Sequence, residues 1–228
     1  METSLRARPD LLITCSDASE AGGAIAATAG LSDYGVWAAK ALPRQLPSMA
    51  ETGFALVSLF GGIEAGRRAC DLLGVKPIRH IAVEWDPDAI RAVGEVYPDV
   101  IHVGDVTELT RECLHKALSG AAIAFVLLLA GFPCQGLSGD SPTKKGFYDA
   151  RSQLFFEGVR VVKNSEAEKH RLECPFASVA SMGAADRDLV THYLGEWPVV
   201  ACPSGLSQVR RKRYLWASWK LTRGMESR

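Results

Sequence analysis

Pro133-Cys134-Gln135 offers the chain's most chemically suggestive side chain. The tripeptide stands in Leu-Ala-Gly-Phe-Pro-Cys-Gln-Gly-Leu-Ser, residues 129–138, and follows the apolar run Ala121 to Ala130. Such a run reads as a parallel strand buried on both faces. Open α/β sheets bind their ligands just beyond the carboxyl ends of the strands. Gly131 and Pro133 bend the chain at that point and restrict the direction of the sulfur. A thiol so placed is a candidate nucleophile. The alternative is a small packed cysteine.

Three further features fall at successive predicted strand ends. The turn Gly61-Gly62-Ile-Glu-Ala-Gly66 lets backbone approach a ligand closely. Glu84 offers a carboxylate able to accept two ribose hydroxyls. Asp105 can accept from an adenine amino group, and Trp85 presents an apolar face to a base. Each has a plainer reading: the glycines as tight packing, Glu84 and Asp105 as helix caps. Together they suggest a cofactor containing adenosine. The glycine spacing does not fit the nicotinamide fingerprint, and no P-loop lysine follows it.

These residues need a frame to bring them together. From Phe54 the pattern alternates. Phe54 to Phe60 reads as a strand, Ile63 to Leu73 as a helix stopped by Gly74, and Ile78 to Glu84 as the next strand. Asp86 and Pro87 open a helix to Tyr97. Ile101 to Val106 reads as a third strand, Thr107 to Leu118 as a helix, and then comes the strand leading to Cys134. Alternation of this kind predicts an α/β fold, a mostly parallel sheet with helices on both faces. Residues 1–50 differ: Leu11 onward reads as a strand, a tight Gly22-Gly23 turn and a second strand, and Ala41 to Ala50 as a linker.

Composition narrows the classes. The 228 residues balance 26 Lys and Arg against 26 Asp and Glu, so no global basic field advertises nucleic acid. Residues 208–213, Gln-Val-Arg-Arg-Lys-Arg, are nonetheless a compact basic cluster. It reads as a phosphate contact, a solvated surface run or a nuclear-import signal. Six cysteines occur without a CxxC pair, which points to neither a zinc site nor a disulfide scaffold, and no metal ligands are assigned. A reducing, intracellular compartment is expected. The start lacks a signal-peptide core, and the longest apolar run is too short to span a bilayer.

From Phe54 to about Trp219 the chain resembles the DNA cytosine-5 methyltransferases, most closely the de novo branch. Ser58-Leu-Phe60-Gly61-Gly62-Ile-Glu-Ala-Gly66 resembles the motif that holds S-adenosyl-L-methionine. Glu84, followed by Trp85, matches the ribose-binding acid, and Gly104-Asp105-Val106 the adenine-contacting motif. Pro133-Cys134-Gln135 matches the catalytic motif. Gly146 to Phe156, with Arg151 and Leu154-Phe155-Phe156, resembles the motif that follows. Arg211, Arg213, Tyr214 and Trp216 fill the arginine motif.

The resemblance implies a Rossmann-like methyltransferase sheet, doubly wound and truncated at its C-terminus. Cys134, Arg211 and Arg213 are the implied catalytic residues. Phe60, Gly61, Gly62, Gly66, Glu84, Trp85, Asp105, Val106 and Leu154 are the implied cofactor contacts. It implies double-stranded DNA as partner, a flipped cytosine as target, a nuclear or otherwise intracellular setting, and no membrane. A homo- or hetero-oligomer with another methyltransferase is a further expectation.

Two departures accompany it. The family's catalytic glutamate is expected in Pro175 to Met182, where alignment puts Ala177 at its position and Ser178 at the neighbouring asparagine. Glu173 lies four residues too early for a strand to deliver it to the same point. Lys163 to Cys174 is also short for the usual connection. The target-recognition region and the last two motifs are expected after Trp219 and do not occur in this sequence. The expected organisation is therefore an extension over 1–50, an incomplete catalytic domain over 51–221 and a tail over 222–228. The alternative function is a non-catalytic cofactor-binding or regulatory module, or a retroelement-derived remnant. In support of the last, residues 10–45 weakly resemble a ribonuclease H-like fragment in which Asp17 matches a metal-binding aspartate.

Overall fold

The computed structural model describes residues 12–19, 22–29, 53–139, 145–166, 171–205 and 210–218. The alternating pattern from Phe54 becomes an eight-stranded mixed sheet. Its strands are β3 (Phe54–Leu59), β4 (Arg79–Val83), β5 (Ile101–His102), β6 (Phe125–Ala130), β7 (Arg171–Glu173), β8 (Phe176–Val179), β9 (Val199–Ala201) and β10 (Arg213–Trp216). The spatial order is β5-β4-β3-β6-β8-β10-β9, with β7 also paired to β6. Strands β3 to β8 pair in parallel, and β10 runs antiparallel to both β8 and β9.

The chain leaves β3 in one direction, through β4 to β5, and then returns to place β6 on the other side of β3. The β3–β6 boundary is thus the switch point of a doubly wound sheet. Every residue of β3 is buried, as a strand covered on both faces requires.

Helices cover both faces. Helix α1 (Ala65–Leu72) packs on a small core of Phe54, Leu56, Cys70 and Val75. Helices α3 (Arg111–Leu118), α4 (Ala150–Glu166) and α5 (Ala184–Leu194) cover a larger one that holds Leu114, Phe155, Phe176 and Val190. Phe132, Phe155 and Phe176 meet there with ring centroids 5.0–6.5 Å apart. Helix α2 (Pro87–Val96) starts as its sequence dictates, with Asp86 accepting from the Asp88 amide and Pro87 in the first turn.

Several expected boundaries move. The third strand shrinks to Ile101–His102, because Asp105 caps a separate 3-10 turn, Val106–Glu108, and Thr110 then caps α3. Two caps five residues apart replace one continuous helix from Thr107. In the N-terminal region β1 (Leu12–Ser19) and β2 (Gly22–Ala29) form the expected antiparallel pair. Gly22 and Gly23 are not its turn: they pair with Ser19 and Ala18 inside the ladder. Glycine accepts extended backbone as readily as a turn, so only the register distinguishes the two. The expected linker over Ala41 to Ala50 lies outside the described residues.

Candidate active site

The site is assembled at the carboxyl ends of β3, β4 and β6. Beyond β3 the chain turns through Phe60 at φ 59° and Gly62 at φ 55° into α1. Glycine enters the left-handed region without strain; Phe60 does so while its amide donates to the Val83 carbonyl at 3.0 Å. Gly66 serves close approach instead, since a Cβ there would collide with Leu129 Cδ1 of β6. The turn is thereby tied to the neighbouring strands on both sides.

Glu84 makes the same kind of tie. Its Oε2 accepts from the Gly62 amide at 2.8 Å, and its Oε1 from the Trp85 and Asp86 amides at 2.9 and 3.0 Å. Oε1 thus has both its lone pairs engaged, while Oε2 keeps a second lone pair for a ligand hydroxyl. Trp85 beside it is 70% exposed. Asp105 Oδ1 accepts from the Thr107 amide and hydroxyl at 2.8 and 2.7 Å, and these bonds lower its pKa. Asp105 is therefore a cap, of the 3-10 turn Val106–Glu108, whereas the helix after Glu84 is capped by Asp86 and Glu84 instead holds loop amides; these bonds fix both carboxylates at the strand ends.

Val106 is buried beneath Asp105. Its carbonyl and that of Leu109 accept from the two Nη atoms of Arg160 at 2.8 and 2.9 Å. Arg160 thus clamps the Asp105 turn from α4. Sequence reading missed it; the available signal was one arginine among Val159, Val161 and Val162.

Cys134 stands beyond β6, the strand next to β3. Gly131 donates to the Leu59 carbonyl at 3.4 Å, which ties the two strand ends together. Phe132 then buries itself against Phe155 and Phe176. The Cys134 carbonyl accepts from the Leu137 and Ser138 amides at 3.0 and 2.8 Å, closing a helical turn behind the thiol. Cys134 is half-buried against the larger core, and Leu154 of α4 is partly buried against the same core. At the start of α4, Arg151 holds Asp149 through both carboxylate oxygens at 3.0–3.1 Å. That grip brings the Asp149 pKa down to about 2.

The arginine motif arrives on β10. Arg213 lies opposite Val179 of β8, and Leu215 opposite Ala177. Arg211 lies just ahead of β10 and is half-buried. Glu173 is not brought to this end: it pairs with Leu127 in mid-β6 and accepts from the Ser218 hydroxyl at 2.9 Å. Glu173, the one carboxylate on β7 and β8, is therefore held short of the carboxyl end of β6. Among the described residues no group of three or more His, Cys, Asp or Glu could hold a metal ion. No described helix is long and apolar enough to cross a membrane.

Comparison with known proteins agrees with this frame. The model of the C-5 cytosine-specific DNA methylase family matches residues 54–170, just over half of the chain. The type II methyltransferase M.NlaIV of Neisseria lactamica is 28% identical over 186 residues, covering 72% of this chain and 41% of that protein. M.HpaII of Haemophilus parainfluenzae is 31% identical over 131 residues, covering 58% of this chain and 34% of that protein. The chain thus spans less than half the length of these relatives.

Among solved structures, the Entamoeba histolytica methyltransferase EhMeth superposes with TM-score 0.58 at 11% identity, covering 76% of this chain and 55% of that one. A DNA modification methyltransferase from an E. coli prophage superposes with TM-score 0.50 at 22% identity, covering 72% and 46%. These two show the fold. With the glycine turn and the cysteine loop meeting at its switch point, the chain belongs to the C-5 cytosine-specific DNA methylase family.

Proposed function

We propose that this chain carries the cofactor-binding and nucleophile-bearing part of a DNA cytosine-5 methyltransferase, over residues 51–221. One observation carries the reading. Cys134 and the Gly61–Gly62 turn emerge from adjacent parallel strands, β6 and β3, at the sheet's switch point. The first 50 residues are an extension and residues 222–228 a tail.

S-adenosylmethionine supplies an electrophilic methyl group when bound. The residues present fit it. Phe60, Gly61, Gly62 and Gly66 form the turn, and a Cβ at Gly62 would meet only open space. Glu84 would hold the ribose and Trp85 and Asp105 the base, with Val106 and Leu154 contributing apolar contacts. Carbon 5 of cytosine is a poor nucleophile. The Cys134 thiolate adds at carbon 6, which gives carbon 5 enamine character and lets it take up a methyl group. Loss of the carbon-5 proton then restores the ring and releases the thiolate. The base is flipped out of the duplex to reach the sulfur. Arg211 holds the exocyclic oxygen, with Arg213 supporting it.

Ala177 supports a second reading, a cofactor-binding module with weak or no catalysis of its own. Absence of a positioned acid–base group reduces rates about 10²–10⁴-fold. The order Arg211, Arg213, Tyr214, Trp216 supports the de novo branch. Exposed Tyr193, Trp197 and Val200 support assembly with a second methyltransferase chain. The β1–β2 hairpin with Asp17 on its first strand is compatible with a ribonuclease H-like, retroelement-derived fragment. A nuclear or other DNA-containing compartment follows from the proposed substrate.

Trapping on duplex DNA containing 5-fluorocytosine tests the leading reading. A covalent adduct that needs both S-adenosylmethionine and Cys134 is expected. Cofactor binding by calorimetry without any adduct would favour the module.

A further inference from the structure

A buried polar relay lies beneath the glycine turn. Glu64, just ahead of α1, adopts left-handed backbone at φ 59°, where a side chain is disfavoured. Its side chain is 0% exposed, and Oε2 lies 2.8 Å from Nε2 of His80 on β4, itself 1% exposed. The other ring nitrogen, Nδ1, lies 3.3 Å from Nη1 of buried Arg67. A guanidinium only donates. Nδ1 therefore accepts, the imidazole proton sits on Nε2, and Nε2–H donates to Glu64. Arg67 is held in turn by Asp71 and Asp99, each at 3.4 Å, and by the Tyr97 ring at 4.8 Å. A buried carboxylate is thus balanced by a buried guanidinium through a neutral histidine.

The second carboxylate oxygen of Glu64 faces the turn. Oε1 has no hydrogen-bond partner among the described residues, and a Cβ added at Gly61 would collide with it. The Glu64 amide also donates to the Gly61 carbonyl at 3.0 Å. An incompletely paired buried carboxylate and left-handed backbone are both unfavourable. Together at one residue they show surrounding structure overriding local preference, directly under the segment assigned to the cofactor.

We propose that Glu64, held by His80 and Arg67, is a positioning residue that sets the Gly61–Gly62 turn in its cofactor-holding form. The proposal rests on the S-adenosylmethionine reading above. The relay fixes the turn to β4 from below, while Glu84, at the end of the same strand, fixes Gly62 from the other side.

Calorimetry with S-adenosylmethionine, thermal melting and amide hydrogen exchange on the full chain test it. Glu64→Ala should weaken cofactor binding about tenfold or more, the scale of a lost charged hydrogen bond. Exchange at Gly61 and Gly62 should quicken, while the amides of β3 stay protected. His80→Gln keeps one donor and one acceptor and should bind within about threefold of the parent, a rescue that a general packing role does not predict. A folded Glu64→Ala chain with unchanged affinity and unchanged exchange at the turn would overturn the proposal. If Glu64→Ala does not fold, Glu64→Gln, which keeps the shape and removes the charge, is judged by the same two readouts. If the parent chain itself fails to bind S-adenosylmethionine, the cofactor reading falls. Exchange then decides the relay alone, faster exchange at the turn supporting it and unchanged exchange refuting it.

Discussion

Arg213 of β10 sits directly across from Val179 of β8, which sets Leu215 opposite Ala177. Opposed residues of an antiparallel pair share a face, and diagonal neighbours lie about 7 Å apart. Position 177 is therefore beside Arg213 and on its side of the sheet. A glutamate there would be delivered to the arginine, which Glu173, bonded to Ser218, cannot match. Ala177→Glu is expected to raise methyl transfer about 10²–10⁴-fold. Transfer of labelled methyl groups to DNA measures it, and an unchanged rate in a chain that binds cofactor would refute it.

Arg213 should be sensitive to shape as well as charge. Arg213→Ala is expected to slow adduct formation on 5-fluorocytosine DNA tenfold or more, from the loss of charged hydrogen bonds at about 1.5–3 kcal/mol. Arg213→Lys should recover little, since an ammonium lacks the planar fork. Full recovery with lysine would reduce the role to simple charge.

Gly66 has no room for a methyl group against Leu129. Gly66→Ala is expected to destabilise the chain by about 1–3 kcal/mol through overpacking. Urea denaturation reports the loss, and adding Leu129→Ala should relieve part of it by freeing the colliding atom.

Asp149 titrates at about 2 because Arg151 binds it, against 3.8 for a free aspartate. A carboxyl depressed in the folded state contributes stability above its unfolded pKa, and the contribution is lost as pH falls through the folded value. Stability should therefore decline between about pH 4 and pH 2. Arg151→Ala, or Asp149→Asn, should flatten that decline. Melting temperatures across this window decide whether the pair contributes.

Two cysteines away from the nucleophile should differ in reactivity. The Ser204 hydroxyl and then its amide, followed by weaker contributions from Arg211 and Lys212, lower the Cys202 pKa. Burial raises that of Cys70. Alkylation at neutral pH should label Cys202 well before Cys70. Equal labelling by mass spectrometry would count against the arrangement around Cys202.

Local chemistry was legible in the sequence where neighbours in the chain determine it. The largely apolar β3, the Asp86–Pro87 start of α2, the glycine turn and the cysteine loop each depend on residues a few positions apart. The ordered motifs also carried the family. Tertiary structure decided what depends on partners far away in sequence. Only the insertion of β6 beside β3 makes the cysteine loop and the glycine turn leave adjacent strand ends. Only the strand register shows that Gly22 and Gly23 belong to a ladder and that Arg213 neighbours Ala177. Glu64 and His80 are sixteen positions apart, and Arg160 reaches back to Val106 across fifty-four. A buried charge declares itself only through the partner that neutralises it, and no local pattern around Glu64 or Arg160 names that partner.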